Sequence, residues 1–171
     1  MVKHTASAIG RGMYFAFWLL IFAILVFLFD IILGYRANPN QVVNTTIGDG
    51  TRTVVLNRNQ QGHYRVIGAI NGVAVTMLVD TGATTVALPQ ALAVQLGLPV
   101  GQSIIGSSAN GYTLGYQTRL QNVQVGDISV QNLRAVVLPN MHGDVLLGMN
   151  FLRELSFTQQ GGSLLLQQDI E

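Results

Sequence analysis

The sequence predicts an all-β domain with a closed barrel architecture and one short helix, preceded by a separate apolar helix. Beyond residue 52, apolar and polar residues alternate in short segments, which is the period-two pattern of strands. Turn residues separate these segments at short intervals, and Asn71-Gly72 is the strongest hairpin signal among them. Many short strands with few helical segments are typical of a closed β architecture.

The predicted elements follow one another with turn residues between them. Pro89 suits the first turn of a helix and Gly97 suits its end. A second, single helical turn is predicted at residues 150–155. The predicted strands cover residues 53–56, 63–70, 73–79, 103–105, 112–120, 123–125, 128–130, 133–138, 145–148 and 163–167, and the helix covers residues 89–96.

An apolar run at residues 13–34 predicts a transmembrane helix that contacts the lipid bilayer. No charge occurs between Met13 and Phe29, and about 21 residues at ~1.5 Å each span roughly 32 Å, enough to cross a bilayer core. A cleaved signal peptide is the alternative, but its apolar region is normally about 7–15 residues and ends in small residues. Asp30 is expected to mark the outer boundary of the span, with an intramembrane role as the alternative.

The charges beside this helix predict its orientation. Lys3 and Arg11 precede the helix, whereas Arg36 and the more distant Arg52 follow it. This bias leans towards a cytoplasmic N-terminus. We therefore expect a single-pass inner-membrane protein whose domain is periplasmic or otherwise exported.

The composition divides the chain and excludes several functional classes. The predicted segments are a tail (1–12), the transmembrane helix (13–34), a polar linker (35–51) and a folded domain (52–171). From Arg36 onwards seven Arg balance seven acidic residues, so no nucleic-acid footprint is present. The absence of cysteine excludes disulfides and thiolate metal sites, and three scattered histidines predict no metal centre.

An acidic residue stands at the end of an apolar strand. Asp80 follows Met77-Leu78-Val79 and is followed at once by Thr81 and Gly82. Burial of a carboxylate costs several kcal/mol unless it is paired or neutralised, so this position indicates a functional acid. Taken alone, Asp-Thr-Gly is also an ordinary turn signal.

In its context this loop resembles the active-site loop of retropepsin-like aspartic proteases. Three matches carry the resemblance: Val79–Ala83, the Val145–Gly148 segment of hydrophobic residues and glycine that packs beneath the loop in the family, and Ser107–Gly111 in the position of the flap. With the N-terminal anchor, they resemble the membrane-anchored, single-domain proteases of bacteria. The resemblance covers about residues 52–167 and implies an acid-protease barrel with one lobe per chain.

The resemblance implies a membrane-anchored endopeptidase that needs no cofactor and acts as a homodimer. Two carboxylates share one proton and activate a water molecule in such enzymes. Because the chain contains one Asp-Thr-Gly, each subunit would contribute Asp80 across a two-fold axis. Thr81 would hydrogen-bond across the dimer, and Gly82 would form the tight turn and bind the carboxylates through its amide.

The resemblance also predicts how extended polypeptide substrates near the membrane are held. Ala83, where two-domain relatives often carry Ser or Thr, is predicted to line the substrate site. The flap residues predicted to bind substrate are Ala109, Asn110, Gly111 and Tyr112. Tyr112 lines the cleft or, equally, is a cross-strand aromatic on a hairpin.

The sequence leaves alternatives for Asp144, for the support of the dimer and for the function. Asp144 is read as a turn or strand-start acid because no Thr-Gly follows it.

The support of the dimer also differs from the family pattern. Met149-Asn150 stands where retroviral enzymes carry a dimer-bracing Arg, and Arg153 is a candidate substitute. Leu164–Leu166 is a candidate for pairing across the interface. The alternative functions are a non-catalytic peptide-binding or dimerisation module and a zymogen-like state with residues 36–51 in the cleft.

Overall fold

The computed structural model describes residues 5–108 and 111–170. The chain forms two units, the first ending at Arg36 and the second beginning at Ala37.

The N-terminal unit is helix α1 (Thr5–Ala37). Its Gly12–Ala37 segment is long and apolar enough to cross a membrane, and none of that apolar window is buried inside the protein. The apolar helix predicted at residues 13–34 is therefore present. Its length and composition suit a membrane anchor or a signal sequence.

The second unit contains eleven strands and two short helices within the described residues. The strands are β1 (Thr45–Gly48), β2 (Thr51–Asn57), β3 (Arg65–Ile70), β4 (Val73–Val79), β5 (Val86–Pro89), β6 (Ser103–Ser108), β7 (Gly111–Val125), β8 (Ile128–Leu138), β9 (Val145–Leu147), β10 (Ser156–Gln160) and β11 (Ser163–Asp169). The helices are α2 (Gln90–Gln95) and α3 (Met149–Leu152).

Six of these strands close into a barrel. The sheet order is β3-β4-β9-β5-β8-β7-β6, and β3 also pairs with β7 through Ala69↔Gln124 and Ile70↔Val123. β6 lies outside the ring as the partner of β7. At the closure a Cβ on Gly68 would collide with the carbonyl oxygen of Gln124, so only glycine fits there. The predicted closed β architecture is confirmed.

Alternate residues of the barrel strands form the core. Val66, Met77 and Leu147 are fully buried, and α3 adds Phe151 and Leu152. The hairpin predicted at Asn71-Gly72 joins β3 to β4, with φ angles of 51° and 83° at these residues, as a tight two-residue turn requires.

The second sheet corrects the prediction for the C-terminal strand. Its order is β1-β2-β11-β10, so β11 has neighbours on both sides. Leu164–Leu166 lies in β11, and its backbone is already paired with β2 and β10. This strand therefore has no open edge for pairing across an interface. The open edges of the sheet are β1 and β10.

The segment predicted as a linker is also corrected, because part of it belongs to the folded domain. β1 pairs with β2, and Asn38 and Asn40 are buried. The Asn40 side chain donates to Asn57 O at 2.8 Å and to Arg65 O at 2.7 Å, and it accepts from Asn57 N at 2.7 Å. The polar side chain of Asn40 thus satisfies backbone groups of Asn57 and Arg65 inside the folded domain. The zymogen-like reading loses support, since these residues are held elsewhere.

The boundaries of several other strands differ from those predicted from the sequence. β7 and β8 each unite two predicted strands, and their register passes directly from Leu120↔Leu133 to Asn122↔Gln131. Gln121 and Asn132 therefore form no bridge pair, although both strands continue through them. Asn132 has a φ of 60°. β1, β5 and β10 were not predicted. The helix predicted at residues 89–96 is α2, with Pro89 as its N-cap.

Candidate active site

The candidate site lies in the loop that joins β4 to β5. Asp80 follows the last residue of β4, and its backbone N–H donates to Leu147 O of the parallel neighbour β9 at 3.1 Å. Ala83 N donates to Asp80 O at 3.2 Å, which closes a tight turn over Thr81 and Gly82. The half-buried Asp80 is therefore fixed at the end of a barrel strand, whereas Thr81 and Gly82 are exposed.

The Asp80 carboxylate is held by the backbone of its own turn. Gly82 N donates to Asp80 Oδ1 at 2.8 Å. A Cβ on Gly82 would lie 3.1 Å from the same oxygen, so glycine leaves room for this close approach. Among the residues that the structure describes, no cationic side chain pairs with Asp80. The carboxylate thus combines a fixed position with an open side on which a second group can bind.

Gly148 packs directly beneath the loop. A Cβ on this residue would lie 2.8 Å from Ala83 O and 2.6 Å from the carbonyl carbon of Thr85. Met149 N donates to Ala83 O at 2.8 Å. The backbone of the loop and the start of α3 are therefore in contact, with no space for a side chain between them.

Asn150 is a functional candidate whose role the sequence did not reveal. Its N–H donates to Thr84 O at 3.1 Å, its Oδ1 accepts from Val86 N at 2.9 Å, and its Nδ2 donates to Arg134 O at 2.7 Å. The backbone of Asn150 thus contacts the Asp80 loop, and its side chain joins β5 to β8. The only sequence signal was its place next to Met149, where an Arg was expected from the resemblance.

Arg153, the candidate substitute for the dimer-bracing Arg of retroviral enzymes, does not support the Asp80 loop in the single chain. Arg153 is exposed and forms no ion pair within the described part of the chain. The loop is instead braced by the uncharged Asn150 side chain and by the close approach of Gly148.

Asp144 lies directly before β9, as a strand-start acid should, and it is paired with Arg65. Arg65 Nε lies 2.6 Å from Asp144 Oδ2, and Nη2 donates to Oδ1 at 2.7 Å. No local pattern indicated this pair, because Arg65 and Asp144 are far apart in the chain. Among the described residues, no group of three or more His, Asp or Glu side chains has a geometry suited to a metal ion.

The flap residues are described only in part. β6 and β7 form a hairpin whose last pair is Ser108↔Gly111, whereas Ala109 and Asn110 lie outside the described residues. Gly111 has a φ of 106°. Tyr112 is 87% exposed, so its ring lies in solvent in the single chain rather than in a formed cleft.

A cavity of about 830 Å³ lies in another part of the domain. It is bordered mainly by polar residues of β8 and β11, including Ser129, Gln131 and Gln168. No residue of the Asp80 loop lines it, so its size alone does not identify it as the site of chemistry.

Comparisons with known proteins place the chain in a family. A family model described as "gag-polyprotein putative aspartyl protease" matches residues 66–154, just over half of the chain. An uncharacterized protein in the cobV 5' region of Sinorhizobium sp is 34% identical over 125 residues, which cover 71% of this chain and 54% of that protein. The chain thus spans about half the length of this curated relative.

The fold is similar to a solved structure of the same kind. The crystal structure of a retropepsin-like aspartic protease from Rickettsia conorii matches with a TM-score of 0.57 and 24% identity, over 74% of this chain and 95% of that chain. This likeness concerns the fold, and the family match at residues 66–154 includes Asp80 and Gly148. The chain therefore belongs to the retropepsin-like aspartic protease family.

Proposed function

We propose that the protein is a membrane-anchored aspartic endopeptidase that hydrolyses peptide bonds with a water molecule activated by two Asp80 carboxylates. The observation that carries the proposal is the geometry of Asp80. Its carboxylate ends an apolar strand, accepts the Gly82 amide at 2.8 Å and has an open side. Asp80, Thr81 and Gly82 are the proposed catalytic residues.

The chemistry needs two carboxylates about one water molecule apart, one charged and one neutral. The charged group takes a proton from the water as the water oxygen attacks the peptide carbonyl carbon. The neutral group donates its proton to the carbonyl oxygen, and a proton then passes to the amide nitrogen as the C–N bond breaks. A charge-assisted bond from Gly82 N would stabilise the ionised carboxylate.

One chain supplies one such carboxylate, so the proposed enzyme is a homodimer. A two-fold axis beside the loop would bring Asp80 of each subunit together and would let the exposed Thr81 side chains hydrogen-bond across it. The unpaired side of Asp80 and the exposure of Thr81 and Gly82 support this arrangement.

The edge strand β10 is the proposed dimer-pairing edge, in place of the Leu164–Leu166 strand. All five of its residues are exposed, and an open edge presents unpaired backbone groups to another strand. It begins at Ser156, four residues after the end of α3, and α3 holds the Asp80 loop through Asn150. Pairing of two β10 strands would therefore be coupled to the position of each loop.

The helix α1 is the proposed membrane anchor. It presents apolar side chains around its circumference, and the apolar window of its membrane-length segment is not buried by the rest of the protein. Burial of that surface in lipid removes it from water. Confinement of two chains to one membrane also raises their effective concentration and favours the dimer. The charge bias supports an inner-membrane protein with a periplasmic or otherwise exported domain.

The proposed substrates are extended segments of proteins near the same membrane face. The β6–β7 hairpin would cover the bound segment, and Ala83 would line the site. The residues proposed to bind substrate from this part of the chain are Ala109, Asn110, Gly111 and Tyr112. Backbone groups of such a hairpin bind an extended peptide as an added strand does. Closure would exclude water other than the attacking molecule.

The full chain in lipid nanodiscs, incubated with an unfolded protein, tests the proposal. The wild type should cleave it, and the Asp80→Asn variant, which keeps the shape but not the ionisable acid, should lose at least about a thousandfold of that activity. If both proteins are folded, dimeric and silent, the non-catalytic peptide-binding module becomes the better account. Equal cleavage by both would place the chemistry elsewhere in the chain.

A further inference from the structure

Two oppositely charged side chains meet across the strand that carries Asp80. Arg65 begins β3, Asp144 precedes β9, and β4 runs between these two strands. Arg65 Nη2 donates to Asp144 Oδ1 at 2.7 Å, and Nε lies 2.6 Å from Oδ2. The Arg65 side chain must therefore cross over β4 to reach its partner.

The strand register places this pair on the same face of the sheet as Asp80. Leu78 is opposite Arg65 on one side and opposite Leu146 on the other. Asp144 precedes Leu146 by two residues, and Asp80 follows Leu78 by two. Residues two apart in a strand point to the same face. All five side chains thus share one face, and Leu78 is about 7 Å from Asp80 along the strand.

This face is not the core face of the sheet. Met77 and Leu147, the strand neighbours of Leu78 and Leu146, point to the opposite face and are fully buried. Leu78 and Leu146 are half-buried and lie outside the core cluster. Beside the Asp80 carboxylate there is consequently an accessible strip, apolar at Leu78 and Leu146 and charged at the Arg65–Asp144 pair.

The pair presents donors to this strip. Arg65 Nε is buried beside Asp144 Oδ2, but its N–H is not aimed at an acceptor. One N–H of Nη2 is bound to Asp144 Oδ1. Three N–H groups remain, two on Nη1 and one on Nη2, and they have no protein acceptor within the described residues. The Arg65 side chain is 34% exposed. Each oxygen of Asp144 already faces the guanidinium.

We propose that Arg65, held in place by Asp144, binds an acidic side chain of the polypeptide substrate. The inference rests on the proposed function, since it assigns a specificity to the same site. A guanidinium with three available donors binds a carboxylate through charge-assisted hydrogen bonds. Asp144 is a positioning residue, because it fixes the guanidinium above β4. A Glu or Asp at one fixed position near the scissile bond is therefore preferred over Lys.

A binding experiment that does not depend on cleavage tests this proposal. The full-length Asp80→Asn variant in nanodiscs is used to retain peptides from a random decapeptide pool, and the retained peptides are sequenced. The same selection is repeated with Arg65→Met/Asp144→Leu added, which removes both charges and keeps similar side-chain volumes. Arg119→Met is the matched control, because Arg119 is an exposed arginine that bonds only to Asn132 in the described structure.

The outcomes separate the specificity from the enzyme activity. Acidic residues should be enriched about tenfold over Lys at one position, and the neutral pair should reduce this ratio to about one while Arg119→Met leaves it unchanged. Retention of peptides without acidic enrichment, equal enrichment with the neutral pair, or no retention would overturn the inference. Cleavage by the wild type is measured in a separate assay. A failure of the catalytic proposal can therefore be distinguished from a failure of the specificity proposal.

Discussion

Asn150 Oδ1 accepts the Val86 N–H at 2.9 Å, so the single turn α3 holds the far end of the loop that begins at Asp80. The other side-chain atom, Nδ2, donates to Arg134 O at 2.7 Å on β8. The loop is therefore fixed at both ends by neutral hydrogen bonds, through Leu147 at its start and Asn150 at its end.

Replacement of Asn150 tests this bracing. Asn150→Leu should lower the free energy of unfolding by about 2–4 kcal/mol, because Val86 N–H and Arg134 C=O both lose their partners. Asn150→Asp, which keeps the acceptor for Val86, should cost less than Asn150→Leu. Chemical denaturation followed by circular dichroism measures both. Equal stability of Asn150→Leu and the wild type would contradict the assigned role.

The close approach at Gly148 makes a second prediction. In Gly148→Ala the new methyl group would press on the backbone at Ala83 and Thr85, so the variant should lose about 1–3 kcal/mol of stability and most of its activity. Gly48→Ala is the matched control, because nothing lies within 4 Å of a Cβ there. Thermal unfolding and a cleavage assay are the measurements. If the two alanine variants behave alike, the loop is not tightly supported from below.

The buried Asn40 predicts that the segment after α1 contributes to folding. Asn40→Ala removes three hydrogen bonds to Asn57 and Arg65 and should destabilise the domain by about 2–4 kcal/mol. The exposed Asn44 serves as the control, and Asn44→Ala should change stability by less than about 0.5 kcal/mol. Urea denaturation distinguishes them. A neutral Asn40→Ala would restore the linker interpretation of this segment.

The proposed dimer edge makes a prediction about association. Phe157 lies in β10 and is 39% exposed, so Phe157→Glu should leave the fold intact but raise the dimer dissociation constant about tenfold or more by adding a charge at the edge. Ile47→Glu changes an exposed residue of β1, the opposite edge of the same sheet, and should have little effect. Sedimentation in detergent micelles compares them. A stronger effect of Ile47→Glu would move the interface to β1.

The features that were predicted correctly depend only on residues adjacent in the sequence. The Asn71-Gly72 turn needs only two residues with positive φ, and the Leu147-Gly148 signature needs only a glycine beneath a loop. The apolar helix likewise follows from one continuous run.

The features that were missed depend on contacts between distant parts of the chain. Asn40 looks like a linker residue until Asn57 and Arg65 are placed beside it. The pairing of Arg65 with Asp144 is created by the strand order and leaves no pattern in the sequence. Polar edge strands such as β10 carry no apolar alternation, so periodicity did not reveal them.

A mixing experiment tests the shared pair of Asp80 carboxylates most directly. Wild type and Asp80→Asn are co-expressed at known ratios, reconstituted as full chains, and assayed at constant total protein. If each active site needs Asp80 from two subunits, activity should fall as the square of the wild-type fraction, to about a quarter at equal amounts. A linear fall, to about half at equal amounts, would mean that one chain suffices and would contradict the shared site.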